Sequence, residues 1–139
     1  MIILDTDVAS GLMRTERDPK LIDWINSCPA NSLWLSAISV YEIRVGIESL
    51  PAGRRRDQLS VAFDRTLAEE FQGRIFPFDE MAALVAAPLM VSRTRQGMNI
   101  EIRDTMIAGI AISRKAEIAT RNIRHFQDLD LSVIDPFAS

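Results

Sequence analysis

The chain has 139 residues, of which 47% are hydrophobic and 25% charged, and a net charge of −3. That describes one water-soluble globular domain over residues 1–139, long enough to bury its own core. The acidic total gives no whole-chain electrostatic footprint for nucleic acid, although it leaves room for a local basic rim. A single cysteine, Cys28, excludes a disulfide framework and a cysteine-built metal site. It fits a reduced, cytoplasmic setting. Asp5 interrupts the first apolar run too early for a secretory leader, and no apolar run reaches the length of a membrane span.

Short apolar or β-rich segments predict strands at Ile2–Leu4, Leu33–Leu35, Arg74–Phe76, Glu117–Thr120 and Ser132–Ile134. Helical patterns run between them at Pro19–Ser27, Ser39–Leu50, Arg54–Phe71, Glu80–Gln96 and Glu101–Arg114. The intervals between strands are long enough for crossover helices, so a parallel sheet with helices on both faces is expected. Gly11, Pro51-Ala52-Gly53, Gly73, Pro77 and Gly97 punctuate the chain as loop or cap residues. There is no repeat, low-complexity tract or dividing linker.

Isolated polar residues at strand ends carry the functional signal. Asp5-Thr6-Asp7 follows the first predicted strand. These residues could cap a following helix, or Asp5 could ligate a metal with Thr6 near a phosphate and Asp7 behind it. Glu42 lies in Ser39-x-x-Glu42, which reads as a capping box. It also follows the second strand, whose end faces the same crevice as Asp5. Asp104 interrupts the helical apolar stripe of Ile100, Ile107, Ala108 and Ala111. A carboxylate buried there needs either a basic partner, such as Arg103 or Arg121, or a cation.

Asn122 follows Thr120-Arg121 after the fourth strand and reads as a turn residue or a neutral oxygen ligand. His125, the only histidine, is expected to bond a carboxylate or backbone rather than a metal. Arg54-Arg55-Arg56 opens a helix and reads as a solvated face or a patch for phosphate or an acidic partner. Leu59, Val61, Phe63, Leu67 and Phe71 on the same helix could form core or a dimer seam. Carboxylates gathered in one crevice repel each other unless a cation lies between them. A divalent-metal site is therefore the first functional expectation.

Several segments together resemble the PIN-domain ribonucleases, in particular the VapC/FitB-type toxins of bacterial toxin–antitoxin pairs. They are Ile3-Leu4-Asp5-Thr6-Asp7-Val8, Leu35 through Gly46 with Glu42 inside it, Asp104-Thr105-Met106-Ile107-Ala108, and Ala119-Thr120-Arg121-Asn122 followed by His125-Phe126. Val133-Ile134-Asp135-Pro136-Phe137 resembles the family's terminal strand and tail. The resemblance implies a three-layer α/β/α domain with a central parallel sheet of four or five short strands. It implies Mg2+ or Mn2+ held by Asp5, Glu42 and Asp104, with Asn122 where relatives often carry a fourth acid. It also implies a metal-activated water that cleaves RNA. Thr6, Arg44, Thr120 and Arg121 are the expected substrate contacts. The implied partners are a VapB/FitA-like antitoxin, a second copy of the chain, and operator DNA reached through the antitoxin by a dimer of dimers.

Two other functions compete. Asp5-Thr6-Asp7-Val8 also fits a haloacid-dehalogenase-type phosphatase, with Asp5 as nucleophile and Asp7 as general acid. That chemistry, like a receiver-type phosphoacceptor, wants a lysine after Thr120, and the last lysine is Lys115. The second competitor is a catalytically weak domain of the same fold that serves mainly to bind a DNA-binding antitoxin.

Overall fold

A computed structural model of the chain describes residues 1–138. Five strands form one parallel sheet: β1 (Ile2–Leu4), β2 (Leu33–Ser36), β3 (Ile75–Phe76), β4 (Glu117–Ala119) and β5 (Val133–Ile134). Their spatial order is β3-β2-β1-β4-β5. The register pairs Ile3 with Trp34 on one side and with Ile118 on the other. The chain builds outward from β1 through β2 to β3, then crosses back to lay β4 and β5 on the other side of β1. The carboxyl ends of β1, β2 and β4 lie side by side, at the place where open parallel sheets bind ligands.

Side chains alternate across a strand, and here each face carries its own core. Leu4, Leu33, Leu35 and Ala119 face a cluster with Val8, Leu12, Leu21, Ile43, Ile47 and Phe63. Ile3, Phe76 and Ile118 face the other cluster, with Ile107, Ile110, Ala111 and Phe126. The first cluster is covered by α1 (Thr6–Leu12), α2 (Pro19–Ser27), α3 (Ala37–Glu48) and α4 (Arg54–Thr66). The second is covered by α5 (Glu80–Arg95) and α6 (Ile102–Arg114). This is the expected three-layer α/β/α arrangement. No helix among the described residues is long and apolar enough to cross a membrane.

Helices α5 and α6 pack close because Gly109 has no side chain. A Cβ there would lie 2.7 Å from the Ala82 carbonyl oxygen and 2.8 Å from the Ala86 Cβ.

Three expectations change. Helix α1 bears out the capping reading of Asp5 and carries Gly11, expected as a loop or cap residue, inside it. It is only seven residues long and begins immediately after β1, with Asp5 as its cap. Helix α3 begins at Ala37, so Ser39 is not its cap. Ser36 is, accepting from the Ser39 N–H at 3.1 Å, and Glu42 stands inside the helix. The helix expected over Arg54–Phe71 is α-helical only to Thr66. Leu67–Phe71 forms a wider π turn, closed by the Gln72 N–H donating to the Leu67 carbonyl at 3.0 Å. Of its apolar residues, Phe63 and Phe71 are buried and Leu59 and Leu67 pack against them, so they are core, while Val61 is exposed. Arg54 and Arg55 are exposed, and Arg56 faces Glu48 at 3.6 Å.

Candidate active site

Asp5 is the pivot of the site. It leaves the end of β1 in extended geometry and caps α1. Its backbone N–H donates to the Ala119 carbonyl at 2.8 Å, which ties it to the end of β4. The carboxylate is 4% exposed. One oxygen accepts from the Thr6 N–H at 2.8 Å and the other from the Thr120 hydroxyl at 2.7 Å. Among the described residues, no cationic side chain pairs with it. Burial pushes its pKa up to about 6, opposed by the Thr120 and Thr6 donors and reinforced by the negative charges of Asp7 and Asp104.

Glu42 comes from the first half of α3, which starts at the end of β2. Its Oε1 accepts from the Thr6 hydroxyl at 2.8 Å, and that hydroxyl also lies 2.8 Å from the Ser39 hydroxyl. Arg103 of α6 approaches Glu42 Oε2 to 3.7 Å and pairs with Glu101 on its other side. Thr6 thus joins α1 to α3.

Asp104 lies in the first turn of α6, where a carboxylate suits the helix dipole. Its side chain is 15% exposed, and its partner is neither Arg103 nor Arg121. His125 Nδ1 stands 2.7 Å from Asp104 Oδ2, in ion-pair range but without a well-aligned hydrogen bond. Desolvation raises the Asp104 pKa, against the lowering effect of His125.

Asn122 is exposed, with its N–H donating to the Thr120 hydroxyl at 3.0 Å. Thr120 therefore couples Asn122 to Asp5. The Asn122 backbone is at φ −94° and is not left-handed, so its turn needs no special residue. Arg121 is exposed and lies over the Phe137 ring, 3.7 Å from the centroid.

Arg44 departs from expectation. It is not free at the cleft rim. Its guanidinium pairs with Asp64, donates to the Ser60 hydroxyl at 3.2 Å and covers the Phe63 ring, all on α4. Residues four apart on a helix share a face and residues two apart do not, so Glu42 and Arg44 diverge.

Two further residues shape the site, Arg103 expected only as a partner of Asp104 and Arg93 not expected at all. Arg103 tethers Glu42. Arg93 of α5 is 1% exposed and fully bonded. It donates to both Asp128 oxygens at 3.0 and 2.8 Å, to the Thr105 hydroxyl at 2.9 Å and to the His125 carbonyl at 2.6 Å. It thereby pins the 3-10 turn Ile123–His125 that aims His125 at Asp104. The signal was present in the sequence. Ala82, Ala86, Leu89 and Arg93 share helical spacing, and an arginine on a core stripe requires buried partners.

The three acids thus stand near the carboxyl edge of the sheet, with Asp104 acting on Asp5 as a like charge and Thr6 linking the helix that Asp5 caps to Glu42, and each already has a partner of its own. No three acidic, histidine or cysteine side chains among the described residues stand close enough together to hold a metal in these rotamers. The donor set nevertheless suits a hard cation. It consists of carboxylate oxygens, one of them buried beside like charges with no positive partner.

An α/β domain with acids near the carboxyl edge of its sheet has them where such folds bind ligands, and comparison with known proteins identifies the class. Residues 2–131 match the PIN domain, and the chain belongs to that family. It is 35% identical over 137 residues to the VapC ribonuclease Y4jK of Sinorhizobium fredii, covering 99% of this chain and 98% of that protein. It is 32% identical to Toxin FitB of Neisseria gonorrhoeae, covering 99% of each. The solved structure of FitAB bound to an IR36 DNA fragment superposes with a TM-score of 0.90 at 32% identity, over 100% of this chain and 97% of that one. Family membership displaces the phosphatase reading of Asp5 and Asp7.

Proposed function

We propose that this chain is a divalent-metal-dependent endoribonuclease and the toxin of a type II toxin–antitoxin pair, acting as a single domain in the cytoplasm. The observation that carries the reading is Asp5, a buried carboxylate beside Asp7 and Asp104 with no cation of its own. Such a group is costly to keep unless something positive joins it. The names of its relatives, a VapC ribonuclease and Toxin FitB, support the same function.

In this reading Asp5, Glu42 and Asp104 hold Mg2+ or Mn2+. When bound, the ion would act as a Lewis acid that lowers the pKa of water and offsets charge growing on the phosphate. The chain's own groups supply orientation. Thr120 and the Thr6 N–H fix both oxygens of Asp5. His125 holds Asp104 by one oxygen, and the Thr6 hydroxyl holds Glu42 by one oxygen. Arg103 must yield Glu42 Oε2 for that oxygen to turn inward. Asn122, held at its N–H by Thr120, offers a neutral oxygen at the crevice edge, and Arg121 offers positive charge to a phosphate. Attack in line expels the 3′ oxygen and needs no protein nucleophile.

The partners in this reading are an RNA substrate, a VapB/FitA-like antitoxin and a second copy of the chain. A dimer of dimers would reach operator DNA through the antitoxin, a reading supported by the DNA-bound FitAB relative.

The test is cleavage of a mixed RNA pool by partner-free protein in Mg2+, Mn2+ or EDTA. Cleavage in metal, absent in EDTA and in Asp104→Asn, is the expected result. No cleavage of any RNA despite retained Mn2+ binding would favour a domain whose main role is to bind the antitoxin.

A further inference from the structure

Beside the acids, a cavity of about 610 Å3 opens between the loop of Met98, Asn99 and Ile100 and the turn that carries Arg121, Asn122, Arg124 and His125. We propose that this cavity is a subsite for one unpaired nucleotide of RNA next to the scissile phosphate, with Arg121 and Arg124 taking backbone phosphates. The inference rests on the ribonuclease reading and adds where the strand lies.

Four observations carry it. First, no aspartate or glutamate lines the cavity, in a chain whose net charge is −3. Second, Arg121 and Arg124 are exposed and neither is ion-paired among the described residues, with the face of Arg121 resting on the Phe137 ring. Free guanidinium forks are the side chains that match phosphate. Third, the remaining wall mixes apolar surface from Ile100 and Ile123 with the amides of Asn99 and Asn122. Apolar surface suits a base face, and amides suit its hydrogen-bonding edge. A base offers both only when unpaired.

Fourth, the cavity is tied to the acids and its wall is anchored. His125 lines it and stands 2.7 Å from Asp104. Asn122 lines it and is bonded through Thr120 to Asp5. Behind the wall, Arg93 holds the His125 carbonyl, so the subsite exists before any ligand arrives and binding need not first order it.

The experiment is fluorescence anisotropy of a labelled single-stranded oligoribonucleotide in EDTA, with Asp5→Asn as the cleavage-dead parent. Adding Arg121→Ala or Arg124→Ala is expected to weaken binding by roughly tenfold each. Each should also flatten the dependence of log Kd on log salt by about 0.7. Asn99→Ala should change preference between oligonucleotides of different base composition while leaving the salt slope unchanged. Arg65→Ala, on exposed α4, should bind like the parent. Equal affinity and equal salt slope in the parent and both arginine variants overturn the proposal, as does a parent that binds no RNA. The readout does not depend on turnover. RNA bound through Arg121 and Arg124 by a wild-type chain that cleaves no RNA in Mg2+ or Mn2+ would sink the ribonuclease reading and leave only an RNA-binding groove.

Discussion

The Thr120 hydroxyl donates to Asp5 Oδ2 at 2.7 Å and so joins the carboxyl ends of β4 and β1 at the centre of the crevice. The same oxygen atom of Thr120 accepts the Asn122 N–H, so one side chain sets both an acid and the turn beyond it. Thr120→Val keeps the shape and removes the hydroxyl. It should cost about 1–3 kcal/mol in urea denaturation, because a buried carboxylate loses a donor. Thr120→Ser should recover most of that, and an unchanged midpoint in Thr120→Val would show that the bond contributes nothing.

The raised pKa of Asp5 fixes the sign of a pH effect. The folded state holds this proton to about pH 6, against 3.8 for the ordinary value. Folding is therefore opposed above that window and unopposed below it. Metal-free protein should lose about 2 kcal/mol from this group as pH rises from 4 to 7. Asp128 runs the other way. Its pKa is lowered by the Arg93 hydrogen bond, and it loses its contribution as pH falls. Comparing Asp5→Asn with the parent isolates the first effect. The variant should be the more stable at pH 7 and nearly equal at pH 4, as read by denaturant midpoints. Parallel pH profiles would contradict the assignment.

Arg93 supports the site from behind. Arg93→Met leaves Asp128 and the His125 carbonyl without their shared partner and should cost about 3–5 kcal/mol. Arg93→Lys should rescue little, since one ammonium cannot replace a fork that meets three groups. Hydrogen exchange should report faster opening of residues 121–128 in both variants. Unchanged protection there would show that Arg93 does not hold the turn.

Gly109→Ala tests the α5–α6 contact. Helix propensity alone favours alanine by about 1 kcal/mol. The added Cβ would meet the Ala82 carbonyl oxygen at 2.7 Å, and backbone cannot give way cheaply. A net loss of about 1–3 kcal/mol is expected from overpacking, read as a lowered Tm. A raised Tm would mean the helices part freely.

Short apolar segments and helical patterns made the sheet and five of its helices legible, because apolar faces must be buried whatever the details. Helix α1 was legible only in its cap, since seven residues starting at a capping aspartate also look like a turn. The positions of Asp5, Glu42 and Asp104 were legible as acids at strand ends and on a core stripe. Their partners were not. The choice of His125 over Arg103 for Asp104, and of Thr6 for Glu42, depends on how α1, α3, α6 and the turn after β4 meet in space. Arg44 misled for the same reason. Its nearness to Glu42 in sequence hid that it faces α4.

The central claim is that these acids form one divalent-cation centre, and calorimetric titration of partner-free protein with Mn2+ tests it most directly. Saturable binding weakened by at least roughly tenfold in both Asp5→Asn and Asp104→Asn is the expected result. Equal Mn2+ affinity in the parent and both variants, or no binding by the parent, would contradict it.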